Sequence, residues 1–165
     1  MRQGLTILTR SPEETQEVGK TIGAQCHPGH IYLLGGPLGA GKTCLTQGIA
    51  QGLEVPGQAR SPTFVLMRNY RGRLALHHLD LYRISGPQEA WDLGVDEELF
   101  GEGVCVIEWA DRAAELFPED CCWITLDYGP GENDRSMVFS ADSPRYRPLL
   151  RSLAEAFPMV EEANP

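Results

Sequence analysis

The eight residues Gly36-Pro37-Leu38-Gly39-Ala40-Gly41-Lys42-Thr43 constrain this chain more than any other stretch, because they satisfy GxxxxGK[ST] in a telling context. His30-Ile31-Tyr32-Leu33-Leu34, a short β-prone run ending in Gly35-Gly36, precedes them, and Lys42 to Leu53 carries apolar residues at roughly helical spacing. The pattern is strand, glycine-rich turn, helix. Glycines let consecutive backbone N–H groups turn inward around a phosphate, while the following helix offers its positive end to the same anion. In that arrangement Lys42 is expected to reach the β and γ phosphates of a nucleotide. Thr43 is expected to put its hydroxyl on Mg²⁺, a hard cation that takes oxygen ligands and keeps several waters.

The surrounding sequence supplies the rest of an α/β domain. An apolar stretch at Leu5 to Leu8 is followed by Ser11-Pro12-Glu13-Glu14, a helix start with capping hydroxyl, proline in the first turn and glutamate at the capping-box position; the helix is expected to run to about Cys26. Thr63 to Tyr70 and Arg73 to Asp80 flank Arg71-Gly72 as a hairpin, and Gly86 to Phe100 suggests short helical pieces broken at Gly94. Gly103 to Trp109 is a second strongly apolar strand, with a helix expected from Asp111 to Phe117. Trp123 to Asp127 and Ser136 to Ser140 form a hairpin across Gly129–Asp134, and Ser143-Pro144 caps a last helix ending at Phe157. The expected fold is a P-loop NTPase-like three-layer α/β domain over residues 1–157, its central sheet largely parallel with antiparallel hairpins. Pro158 to Pro165 is expected to be a frayed tail.

Composition narrows the partners. The chain has 165 residues and a formal net charge of -9, against the broad basic surface that direct nucleic-acid binding uses, so neither DNA nor extensive unaided RNA contact is expected. Its lysines are Lys20 and Lys42 alone, which makes the one inside the glycine-rich turn informative. Cys26, Cys44, Cys105, Cys121 and Cys122 contain no CxxC pair and read as reduced thiols of a cytoplasmic protein. Without a long apolar segment, membrane insertion is not expected.

Two carboxylates end apolar runs. Val104-Cys105-Val106-Ile107-Glu108 is the layout by which a buried strand delivers an acid to a metal at its C-terminal edge, so Glu108 joins Thr43 as a candidate Mg²⁺ residue. Asp80, after Leu76-His77-His78-Leu79, is a candidate to hold Mg²⁺ through water or to orient an attacking water. His77 and His78 point to opposite faces of an extended strand, so one is expected in the core and the other exposed. Cys44 is expected to be an unreactive thiol, and the residue types alone assign Trp109 to packing.

The segments LLGGPLGAGKTCLTQGIAQGL, SPTFVLMRNY, HHLDLYRI, PQEAWDLGVDEEL and VCVIEWADR, in this order and spacing, resemble the TsaE (YjeE) family over roughly Ile31 to Asp127. Those proteins are bacterial ATPases needed to make threonylcarbamoyladenosine beside the anticodon of certain tRNAs. The resemblance implies ATP as substrate and Mg²⁺ as cofactor. It also implies action with the TsaB and TsaD proteins, TsaD performing the transfer while this component resets the complex, and tRNA contacted mainly through that complex. By the same likeness Leu38, Gly39, Ala40, Gly41, Lys42 and Thr43 cradle the phosphates, and Thr43 and Glu108 hold the metal. Lys42, Asp80 and Glu108 serve hydrolysis; Trp109 matches a position important for activity; Asp111 and Arg135 fall where the family contacts nucleotide. Ser61 to Phe64 resembles its switch-like segment.

Two other readings remain open at this point. A small P-loop kinase would need an arginine-rich lid, for which Arg68, Arg71 and Arg73 are candidates. A nucleotide-sensing adaptor would use ATP only to set its affinity for partners. A GTPase is disfavoured because the chain has neither an [NT]KxD motif nor an aspartate opening DxxG.

Overall fold

The computed structural model of the chain describes residues 3–57, 59, 67–92, 94, 99 and 101–158. They form one mixed sheet in the order β1-β7-β6-β2-β5-β4-β3, with helices on its faces. The strands are β1 (Gln3–Thr9), β2 (Ile31–Gly35), β3 (Met67–Arg71), β4 (Ala75–Asp80), β5 (Val104–Glu108), β6 (Cys122–Tyr128) and β7 (Arg135–Ala141). β6, β2, β5 and β4 run parallel to their neighbours in the centre, while β1/β7, β6/β7 and β3/β4 pair antiparallel. This is the expected layout of a parallel centre with antiparallel hairpins. The switch-like segment Ser61 to Phe64, residues 63–66 at the start of the first expected hairpin strand, and residues 159–165 of the expected tail lie outside the described residues.

β2 and β5 are buried at every position because both faces are covered, so they read as continuous apolar runs. Alternate side chains feed two cores. Tyr32, Leu34, Val104 and Val106 pack toward α1 (Pro12–Gln25), α2 (Lys42–Gly52) and α4 (Arg147–Ala156), while Ile31, Leu33, Cys105 and Ile107 pack with Ala90 of α3 (Pro87–Asp92) and with Ala110 and Ala113. Three layers result. The helix expected over Asp111–Phe117 is instead a 3-10 segment, Ala110–Leu116, broken at Ala113, whose φ of -139° and ψ of 34° interrupt it. Trp109 enters it at φ 59°, so no regular helical turn is set up at its start.

α1 begins as its sequence dictates. The Ser11 hydroxyl accepts the Glu14 N–H at 3.1 Å, and the Glu14 carboxylate reaches back to the Arg10 N–H at 2.7 Å, one residue earlier than the usual capping box. Where α1 crosses α2, Gly19 and Gly23 meet Gly48 and Gly52 backbone to backbone. A Cβ at Gly48 would overlap the Gln16 carbonyl and the Gly19 Cα. This contact sets the axis of α2, whose first residues are Lys42 and Thr43.

Candidate functional site

Because β6, β2, β5 and β4 are parallel, their C-terminal ends share one edge of the sheet, and Asp80 and Glu108 stand there. The loop after β2, the last residue of β4 (Asp80), the last residue of β5 (Glu108) and the turn between β6 and β7 all converge at that edge. Asp80 and Glu108 are register partners, as are Leu34 and Glu108. Pleat alternation puts His78, Asp80 and Glu108 on the face that carries α2.

The loop is shaped by its glycines. Gly36, at φ 124°, lies so close to the Leu126 carbonyl that no Cβ fits, and Gly41, at φ 105°, is the N-cap of α2 with no side chain to satisfy the first-turn amides. Unsatisfied first-turn amides and the positive helix end favour an anion there. Leu38 stands 71% exposed at the loop's tip.

Lys42 is 5% exposed, and its Nζ donates to the carbonyls of Gly36 at 2.6 Å and Pro37 at 2.8 Å. The ammonium also lies 3.8 Å from the centre of the Trp109 ring, in cation–π contact. Burial pulls its pKa below the ordinary lysine value, and the carboxylates of Glu108, Asp111 and Asp80 oppose that pull. The opposite face of the loop is held by the β6/β7 turn. The Tyr128 hydroxyl donates to the Leu38 carbonyl, and Arg135 donates from Nε to the Gly39 carbonyl at 3.3 Å while its guanidinium lies over the Tyr128 ring.

Thr43 donates its hydroxyl to Glu108 Oε1 at 3.0 Å. The other oxygen, Oε2, accepts a hydrogen bond from Nε2 of His78, and both side chains are almost fully buried. His78 Nδ1 has no hydrogen-bond partner among the described residues, an omission worth about 1–3 kcal/mol of desolvation in a core. Asp80 Oδ1 accepts the Tyr82 N–H at 2.9 Å, and the Tyr82 ring leans on Trp109 at 4.9 Å. Arg112 lies over both rings.

Lys42, Thr43, Asp80, Glu108, Trp109 and Asp111 thus form one constellation, with Leu38, Gly39 and Arg135 on the loop's far side. Of the two histidines, His78 is the buried one and His77 is half-exposed, its Nδ1 bonded to Asn69 Oδ1 at 2.7 Å. The His78–Glu108 contact is a pairing that residue types alone do not reveal; the available signal is that positions 78 and 80 share a strand face. Cys44 bonds the Pro12 carbonyl at 3.2 Å and its thiol is raised by burial, as befits an unreactive group. Arg73 is committed to the carbonyls of Gly23, Ala24 and Cys26 at the end of α1, on the opposite sheet edge, so it is no lid over the loop.

As a donor set, Thr43 and Glu108 offer a hydroxyl and a carboxylate oxygen side by side, with Asp80 adjacent. That is the hard-oxygen chemistry Mg²⁺ accepts from one or two protein groups, and no cluster of three or more His, Cys, Asp or Glu suited to a softer metal occurs among the described residues. None of the described helices is long and apolar enough to cross a membrane.

Comparison with known proteins identifies the family of the chain. A family model described as "Threonylcarbamoyl adenosine biosynthesis protein TsaE" matches residues 9–137. The tRNA threonylcarbamoyladenosine biosynthesis protein TsaE of Bacillus subtilis is 40% identical over 147 residues, spanning 88% of this chain and 91% of the relative. Its counterpart in Treponema pallidum is 41% identical over 122 residues, 74% of this chain and 90% of the relative. The crystal structure of Bacillus subtilis YdiB superposes with a TM-score of 0.79 at 36% identity, covering 94% of this chain and 97% of that one. On the family match and the extent of these identities, the chain belongs to the TsaE family.

Proposed function

We propose that this chain binds ATP with Mg²⁺ in the Gly36–Thr43 loop and hydrolyses it, in support of threonylcarbamoyladenosine modification of tRNA together with TsaB and TsaD. The observation that carries the reading is the contact of Thr43 with Glu108 beside the buried Lys42 ammonium, at the mouth of a glycine loop that opens a helix. Backbone amides of Leu38 to Thr43 bind the phosphates, and Lys42 exchanges its loop carbonyls for phosphate oxygens. Thr43 and Glu108 hold Mg²⁺, which when bound neutralises charge on the phosphate oxygens.

Asp80 orients the attacking water. The water oxygen bonds to the terminal phosphorus as the bond to the bridging oxygen breaks, and the water's protons leave with the inorganic phosphate or pass to solvent as ADP is released. Trp109 and Asp111 line the edge beside Lys42, and Arg135 fixes the loop from the other side. The net charge of -9 suits a component that leaves the main tRNA contacts to its partners. The description of the matching family and the likeness to TsaE proteins support the pathway assignment.

The test is reconstituted tRNA modification with TsaB, TsaD and ATP labelled on the terminal phosphate. Lys42→Ala is expected to abolish modification, and wild type to release label only as inorganic phosphate. Wild-type modification by Lys42→Ala would overturn the reading, and label on an acceptor would replace it with a kinase.

A further inference from the structure

Glu108 has two oxygens and two different neighbours. Thr43, on α2, takes Oε1, and His78, on β4, takes Oε2. The β4/β5 register fixes the distance from imidazole to carboxylate, because Asp80 pairs with Glu108 and His78 with Val106 along parallel strands. His78 makes no other side-chain hydrogen bond among the described residues, since Nδ1 is orphaned in the core. A purely structural core position would be filled more stably by an apolar side chain, which leaves no polar nitrogen unsatisfied.

We propose that His78 is a positioning residue: by holding Oε2 it leaves Oε1 as the one oxygen Glu108 offers beside Thr43, and so tunes the chain for magnesium-bound nucleotide over nucleotide alone. The inference rests on the reading above that Thr43 and Glu108 hold Mg²⁺. A small octahedral ion takes single oxygens in fixed directions, whereas a carboxylate free to rotate offers both oxygens at once and suits larger, less demanding cations. Hydrogen bonds to a ligating carboxylate typically matter by about 10- to 100-fold in metal affinity.

The experiment measures ATP affinity by calorimetry, in excess Mg²⁺ and in EDTA, for wild type, His78→Gln and His78→Asn. The glutamine amide places a donor near the position of the imidazole Nε2, and the asparagine amide stops short of it. His78→Gln is expected to keep the Mg²⁺ enhancement of affinity within about threefold of wild type, while His78→Asn loses about tenfold or more of it. Affinity in EDTA should stay within about twofold for both, because the phosphate loop is untouched. Enhancement retained in His78→Asn would overturn the inference, as would equal weakening with and without Mg²⁺, which marks a packing role. Should His78→Asn fail to fold, loss of enhancement in folded His78→Gln overturns it and retention supports it. Absence of Mg²⁺ enhancement in wild type would instead bring down the metal reading of Thr43 and Glu108, and this inference with it.

Discussion

The two ends of β2 treat polar groups in opposite ways. At its C-terminal end Lys42, Glu108, Asp80 and Asp111 are gathered around a loop, and their charges act on one another. At its N-terminal end His30, Tyr32, Tyr146 and Cys26 interlock as neutral groups. His30 Nδ1 pairs with the Tyr32 hydroxyl at 2.9 Å, Tyr146 accepts the Ile31 N–H at 3.1 Å, and the His30 and Tyr146 rings lie 4.7 Å apart. Burial, with help from Arg145 and His27 and against Asp120, lowers His30 to about 4, and burial pushes the Cys26 thiol up to about 12. One end gathers charge; the other removes charge and pins the strand to the turn at Tyr146 that leads into α4.

If that contrast is right, acid should attack the neutral end first. A histidine whose folded pKa lies below its unfolded value contributes stability that is fully present above about 6.5 and is lost as pH falls toward 4. The loss approaches about 3 kcal/mol, because each unit of difference corresponds to roughly 1.4 kcal/mol. Urea unfolding between pH 8 and 4 should show this limb in wild type and a flatter one in His30→Asn; parallel curves would refute the neutral-cluster account.

A smaller effect is expected where the charged end is braced. Gly48→Ala would ordinarily favour a helix, yet here the added methyl meets the Gln16 carbonyl and Gly19 Cα of α1. It should therefore destabilise by about 1–3 kcal/mol. It should also weaken ATP binding through the displaced N-terminus of α2, whereas His30→Asn at neutral pH leaves ATP affinity unchanged. Thermal unfolding and nucleotide titration of the two variants, side by side, show whether the ends are separable; an unaltered or raised melting temperature in Gly48→Ala would contradict the close crossing.

Much of this is legible in the sequence alone. Local patterns carry the Gly36–Thr43 loop, the Ser11 cap, the run that delivers Glu108 and the hairpins, because each is written within about ten consecutive residues. What remained hidden depends on pairing across the chain. His78 meets Glu108 only once β4 and β5 align in parallel, and Tyr146 reaches Ile31 across 115 positions. The segment Ala110–Leu116, over which a helix is expected from residue 111, is broken at Ala113 and entered through the left-handed backbone of Trp109. The α1/α2 crossing did leave a local trace, glycines four apart at Gly19/Gly23 and Gly48/Gly52, whose meaning appears only when the two helices face each other.

The measurement closest to the centre of this account is calorimetric titration of ATP with Mg²⁺ into the wild-type chain and into Lys42→Ala. Wild type is expected to bind measurably and the variant to lose about 10- to 150-fold in affinity, the usual worth of a hydrogen bond to a charged group. Equal affinities, or no heat of binding in the wild type, would contradict it.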